Sequence, residues 1–324
     1  MNRTQLGRNL RVAVIGNGGG QNQLLDPVVG FPFSWWDGVK YEPELSKADV
    51  IMPYFGERPY TKEIDVYASN IEATRSDDER AKMMWYTLCD FPSFATRIKS
   101  GLKFVLSPGP DRKLNDECNV YPVPIHCCPS DYTIQFDTEW TNIARNQRKT
   151  SNFAFIGNVT GSIPGKFFGG RTWLARLAKR LPKFLLTDAA GSAFLPNWSG
   201  QHRAWMLAIG SARYGFAPAG PSNGPRGYWT MQCGTVPIFS DVKQLPFEDK
   251  IDWKKIAVFV DQANRETFDY ASLPMDGPEY DAKRQGCIEA WDKYCRMDAC
   301  AREMARITSK FLSERKGLTC KESW

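Results

Sequence analysis

The 324-residue chain has no run of eighteen consecutive apolar residues, the length a membrane-spanning helix needs. Its first apolar run, Val12 to Ile15, is too short for a signal-peptide core and passes at once into glycines. Histidine is scarce: only His126 and His202 occur. The nine cysteines (Cys89, Cys118, Cys127, Cys128, Cys233, Cys287, Cys295, Cys300 and Cys320) form no repeated Cys-x-x-Cys knuckle. Together these absences exclude a structural zinc site. An odd count with Cys127 and Cys128 adjacent points to reduced thiols in an intracellular protein. A bridge among Cys287, Cys295, Cys300 and Cys320 stays open. Excess charge is also small, with 42 Lys and Arg against 36 Asp and Glu, and there is no dense basic block. That excludes nucleic acid as the expected partner and suits a small anionic substrate.

What is present is the composition of a globular chain, 42% apolar and 24% charged, long enough for two ordinary domains. Leu10–Gly20, "LRVAVIGNGGG", reads as a buried strand entering a glycine loop, with spacing unlike a dinucleotide fingerprint. Strands are expected at Lys47–Phe55, Ile64–Ser69 and Leu102–Gly109, and a helix over Asp77–Cys89. "SDDE" from Ser76 reads as its cap. Thr138–Asn152 is polar and reads as a linker. Strand and helix signals then alternate again through "FAFIGNVTG", "GGRTWLARLAKRLPK", "FLLTDA", "ARYGFAP", "GTVPIFSD" and "KIAVFV". Arg284–Glu314 is helical in composition. The expected organisation is two α/β domains, 1–145 and 146–283, with helices over 284–324.

The stretch from Ser211 to Asp241 carries the chemistry. Ser222, Asn223 and Gly224 form a loop, Pro225 suits a first helical turn, and Arg226 follows. Backbone N–H groups and a guanidinium gathered there suit an anion. Arg171, after Gly169 and Gly170, opens another helix behind a strand and offers a second cation at a strand-to-helix junction.

"YGFAPAGPSNGPRGYWTMQCGTVPIFSDVKQLPFEDKIDWKKIAVFV" resembles the signature of the exostosin-like glycosyltransferases, clearly over Arg213–Val260 and more weakly back to Phe153 and Arg171. The resemblance implies the GT-B fold: two Rossmann-like domains facing across a cleft, with the C-terminal helix crossing back to the first. It implies a UDP-sugar bound by the second domain, a glycan acceptor bound by the first, and inverting transfer without a bound metal. The chain has no Asp-x-Asp. Soluble members of this kind occur in large algal viruses, which raises xylose as the sugar and the host cytoplasm as the setting. A member separated from its anchor would act in the Golgi lumen. The resemblance assigns Arg226 and Arg171 to the diphosphate, with Ser222, Asn223 and Gly224. Three positions after the arginine the family commonly has a glutamate that accepts from ribose. Here that position is Trp229, read as core ahead of a sugar or base platform, and Asp241 or Glu248 is expected near the ribose instead.

Glycosyl transfer also needs a group to take the acceptor's proton. Asp37, beside Trp35 and Trp36 in an aromatic loop, is the first candidate, followed by Asp26 and His126. Two other readings stand beside the enzyme. One is a noncatalytic carbohydrate- or nucleotide-binding protein, which Trp229 favours. The other is a nucleotide-dependent oxidoreductase, suggested by the glycine loop.

Overall fold

The computed structural model describes residues 4–15, 21–25, 32–53, 70–71, 73–87, 101–105, 120–123, 136–157, 159, 171–188, 198–218, 226–240 and 245–315. The chain divides into two units, Met1–Val123 with Met297–Trp324, and Pro124–Arg296. The strands are β1 (Thr4–Ile15), β2 (Trp36–Tyr41), β3 (Val50–Pro53), β4 (Met84–Thr87), β5 (Leu102–Val105), β6 (Val120–Pro122), β7 (Ser151–Gly157), β8 (Phe184–Asp188), β9 (Ala212–Pro218), β10 (Val236–Ser240) and β11 (Val258–Val260). The helices are α1 (Gln21–Leu25), α2 (Asp77–Lys82), α3 (Thr138–Arg145), α4 (Thr172–Arg180), α5 (Trp198–Gly210), α6 (Arg226–Gln232), α7 (Trp253–Ile256), α8 (Pro278–Ala290) and α9 (Met297–Arg315). Among the described residues, no helix is long and apolar enough to cross a membrane.

In the first unit the strand pairings among the described residues are parallel, in the orders β2-β1-β3 and β4-β5-β6. An isolated parallel bridge, Ile51 to Met83, lies between β3 and the start of β4. β1 is central, and Leu10, Val12, Ala13, Val14 and Ile15 are all buried, as befits a strand covered on both faces. α9 packs beside β1, and its residues Ala299, Cys300, Ala301, Met304 and Ala305 are buried. The Trp36 indole N–H donates to the Ala301 carbonyl at 2.8 Å, so the tryptophan's one polar atom is satisfied inside the core.

Three local expectations give way here. The helix expected over Asp77–Cys89 stops at Lys82, and Met84–Thr87 is β4. Ser76 and Glu79 form a reciprocal capping box that starts α2. Met83, Met84 and Trp85 are then buried, and an extended chain places them in the sheet core. The aromatic loop around Asp37 runs into β2, paired in parallel with β1. The linker read over Thr138–Asn152 is α3, begun by Asp137 accepting from the Trp140 N–H. Its buried Ala144 packs with Met206 and Ile209 of α5, and its buried Thr141 hydroxyl accepts from Gln232 Nε2 of α6 at 3.0 Å. The expected boundary near Arg145 therefore lies inside the second unit, as do residues 284–296.

The second unit holds a five-stranded parallel sheet in the order β11-β10-β9-β7-β8. Its two faces differ in kind. On one, Phe153, Phe184, Tyr214 and Phe216 interlock with Trp173 and Tyr270 at centroid distances of 5.3 to 6.1 Å. On the other, Ala154 and Gly215 leave room for α5 and α6: a Cβ on Gly215 would meet the Thr230 methyl at 2.6 Å. Two residues past the end of α6, Gly234 has a φ of +63°, the left-handed turn that glycine takes without strain. The Gly234 N–H returns to the Met231 carbonyl and the Thr235 N–H to that of Thr230. Cys287, Cys295 and Cys300 are buried free thiols, so no bridge joins those three, and Cys320 lies outside the described residues.

Candidate anion site of the second unit

The strand order sets the site. From β7 the chain builds outward to β8 on one side, and from β9 to β10 and β11 on the other. The direction of winding thus reverses between the neighbours β7 and β9. Helices leaving two such strands diverge, and the space beyond the carboxyl ends of the strands is where open α/β sheets take ligands. Arg171, at the N-cap of α4, follows β7. Arg226, the first residue of α6, follows β9.

The two arginines, far apart in sequence, meet over one ring. The Arg226 guanidinium carbon lies 4.8 Å from the centroid of Phe155, and that of Arg171 lies 5.9 Å from it. Phe155 is fully buried on β7. Gly157, two residues on and therefore on the same face, ends that strand. A Cβ there would lie 2.5 Å from Nη2 of Arg226. The missing side chain is the space the guanidinium occupies. Burial first, and the charge of Arg171 second, pull the Arg226 pKa downward, and burial does the same to Arg171. Both remain cations at neutral pH. Among the described residues no carboxylate pairs with Arg226. A half-buried cation facing another cation is the electrostatic complement of a multiply charged anion.

Of the other expected site residues, Glu248, Asp37 and Trp229 are among those described. Glu248 is exposed, and its carboxylate accepts from the Leu245 N–H at 3.4 Å. Asp37 is the second residue of β2, half-buried, with its backbone opposite Gln5. Ser222, Asn223, Gly224, Asp241, Asp26, His126 and the first glycine loop lie outside the described residues. Trp229 is half-buried and packs edge-on against Trp205 at 5.9 Å and His202 at 6.2 Å. Burial pushes the His202 pKa down to about 4, so the imidazole is neutral at pH 7. No group of three His, Cys, Asp or Glu able to hold a metal occurs among the described residues.

Phe155 and Gly157 are the site residues that sequence reasoning missed. The available signal was their spacing: two positions apart at the end of a parallel strand, they face the same way.

No protein-family model matches the chain, and no curated protein matches it. Among the solved structures that match is that of Anabaena Alr3699/HepE in complex with UDP and glucose, which aligns over 96% of this chain and 100% of that one. The identity is 11% and the TM-score 0.37. A likeness that distant carries no argument about activity.

Proposed function

We propose that the chain is a glycosyltransferase that moves a sugar, xylose first among the candidates, from a UDP-sugar to a glycan acceptor. The observation that carries this reading is the pair Arg171 and Arg226 at the reversal of strand order, sharing the Phe155 ring. The resemblance of Arg213–Val260 to the exostosin-like signature supplies the sugar.

In the proposed reaction the acceptor hydroxyl oxygen attacks the anomeric carbon and the bond from that carbon to the phosphate oxygen breaks. UDP departs with the electron pair. Negative charge grows on the diphosphate as the bond stretches, and two fixed guanidiniums stabilise that charge without reorganising. No metal is required for this role. The acceptor's proton passes to a base, for which Asp37 is our first candidate. Attack opposite the leaving group inverts the anomeric centre.

The test is release of UDP from a panel of UDP-sugars, with and without oligosaccharide acceptors, beside thermal stabilisation by the same compounds. Sugar-selective release supports the reading, and absence of both release and stabilisation across the panel overturns it. Stabilisation without turnover in any acceptor mixture supports a noncatalytic nucleotide-sugar binder instead. That second reading is favoured by Trp229, an aromatic residue one helical turn after Arg226, on a helix with no acidic residue in its first turn.

A further inference from the structure

α6 carries Arg226 at one end and is fastened at the other. It spans only seven residues, Arg226–Gln232, too few to hold a helical direction unaided in water. The line of its axis, and with it the place of the Arg226 guanidinium, is therefore set by what grips it. Along its length Gly227, Tyr228, Thr230 and Met231 are buried. At its carboxyl end the grip is made by charged donors. Arg145, at the end of α3, donates from Nε to the Gln232 carbonyl at 2.9 Å. Arg284, on α8, donates from Nε to the Gly234 carbonyl at 3.1 Å and from Nη2 to the carbonyl of Arg145 itself. Arg284 thus holds the end of α6 directly and also holds the backbone of the other arginine that does so. Gly234 makes room for both: a Cβ there would stand 3.3 Å from Arg145 Cγ and 3.5 Å from Arg284 Nη2. Cations suit this place because the last carbonyls of a helix are the negative end of its dipole, and charged donors make the stronger bonds. Packing along α6 resists its separation from the sheet, whereas bonds at its end resist sliding along its axis. Sliding is the motion that matters to an anion, since paired N–H···O contacts weaken steeply once distance and angle are lost.

We infer that Arg284 is a positioning residue of the diphosphate site: by holding the Gly234 carbonyl and the carbonyl of Arg145, which itself holds Gln232, it fixes the axis of α6 and so the place of the Arg226 guanidinium at the other end. This inference rests on the diphosphate reading of the site. It extends that reading to a residue at the opposite end of the helix from the ligand.

The test uses the full-length chain and calorimetric titration with UDP and with uridine, which lacks phosphate. Arg284→Ala leaves the Gly234 carbonyl its bond from Lys149, so the fold keeps a partner there while one of the two braces goes. Affinity for UDP should fall by about 3- to 30-fold, part of the value of charged hydrogen bonds. Affinity for uridine should change by less than about 2-fold, because a loss that reached the ligand through Arg226 alone spares a ligand without phosphate. Arg284→Lys, which keeps the charge but not the fork, should restore part of the UDP affinity. In an Arg226→Ala background Arg284→Ala should add little, as expected for residues acting through one group. If Arg284→Ala does not fold, Arg284→Lys decides by the same comparison: its loss for UDP must exceed its loss for uridine. Equal losses for the two ligands, unchanged UDP affinity, or additive R284A and R226A losses, in a chain that binds UDP, would overturn the positioning role alone. Failure of the wild-type chain to bind UDP would overturn the diphosphate reading and this inference with it.

Discussion

Lys149 donates from Nζ to the carbonyl of Gly210 at 2.7 Å, tying the approach to β7 to the end of α5. The same ammonium reaches the Gly234 carbonyl at 3.1 Å and Thr235 Oγ1 at 3.3 Å. Three donors thus meet three oxygens, two of them carbonyls at the carboxyl ends of α5 and α6, where a positive charge is favoured. Arg284 adds a bond to the Gly234 carbonyl at 3.1 Å. The cation is well bonded yet crowded, and burial followed by the charge of Arg284 lowers its pKa to about 7.

That crowding predicts a pH dependence of stability. In the unfolded chain Lys149 keeps its proton to the ordinary value of 10.5, whereas in the folded chain it releases it near 7. The unfolded state therefore binds more protons above pH 7, and stability rises with pH by up to about 1.4 kcal/mol per unit. The buried thiols oppose this higher up. Burial raises the pKa values of Cys233, Cys287 and Cys295 above their ordinary 9, so their contribution falls as pH rises through 9. Urea denaturation of the wild-type chain from pH 7 to 9 should show an upward component that Lys149→Met lacks. Parallel pH profiles for the two proteins would exclude the assignment.

Arg226 sets function against stability. Arg226→Met should raise the melting temperature of the ligand-free chain by a few degrees, about 1 kcal/mol, because a like-charged, half-buried partner of Arg171 is removed. The same substitution should weaken UDP binding by about 10- to 100-fold, the value of charged hydrogen bonds. Uridine binding should change little, since uridine lacks phosphate. Arg226→Lys should restore part of the loss, because lysine keeps the charge but not the planar fork. Differential scanning fluorimetry with calorimetry reads both effects, and equal losses for uridine and UDP would rule out a phosphate contact.

Arg145 closes a paired contact on Asp292, with nitrogen–oxygen distances of 3.0 and 2.9 Å, and also donates to the Gln232 carbonyl at 2.9 Å. It links the ends of α3 and α6 to the π-helical turn Trp291–Cys295. Asp292→Ala should cost about 1 to 3 kcal/mol in chemical denaturation. Asp292→Asn, which keeps one acceptor, should cost less. Equal stability of all three proteins would show that the contact contributes nothing.

Asp37 is the catalytic proposal open to the most direct kinetic check. Asp37→Asn should reduce turnover about 100- to 10,000-fold while leaving UDP affinity near that of the wild-type chain. Turnover near wild type in a folded D37N protein would move the base to Asp26 or His126.

The legible parts of the fold were those written in local apolar runs. Val12–Ile15, Phe153–Gly157, Tyr214–Pro218 and Val236–Ser240 are branched or aromatic and bounded by glycine, proline or serine, and they are strands. β2 was hidden because Trp36-Asp37-Gly38 has a turn's composition, and its strand state depends on pairing with β1. α3 was hidden because most of its residues are polar, and its helical state depends on Ala144 packing against α5 and Thr141 bonding to Gln232 of α6. Charge at the site could be read from Arg171 and Arg226 because arginines at strand-to-helix junctions announce themselves. The shared ring could not, because Phe155 has the sequence character of any core residue until the sheet order brings β7 beside β9.

α9 has a consequence for the newly made chain. The first unit begins with β1 and is completed by α9, which supplies the Ala301 carbonyl to Trp36. The second unit is continuous in sequence, and all of it leaves the ribosome before α9 does. During synthesis, then, the amino-terminal half waits with an uncovered apolar strand while the later half already has its full sequence. This reverses the order in which domains of a growing chain generally fold.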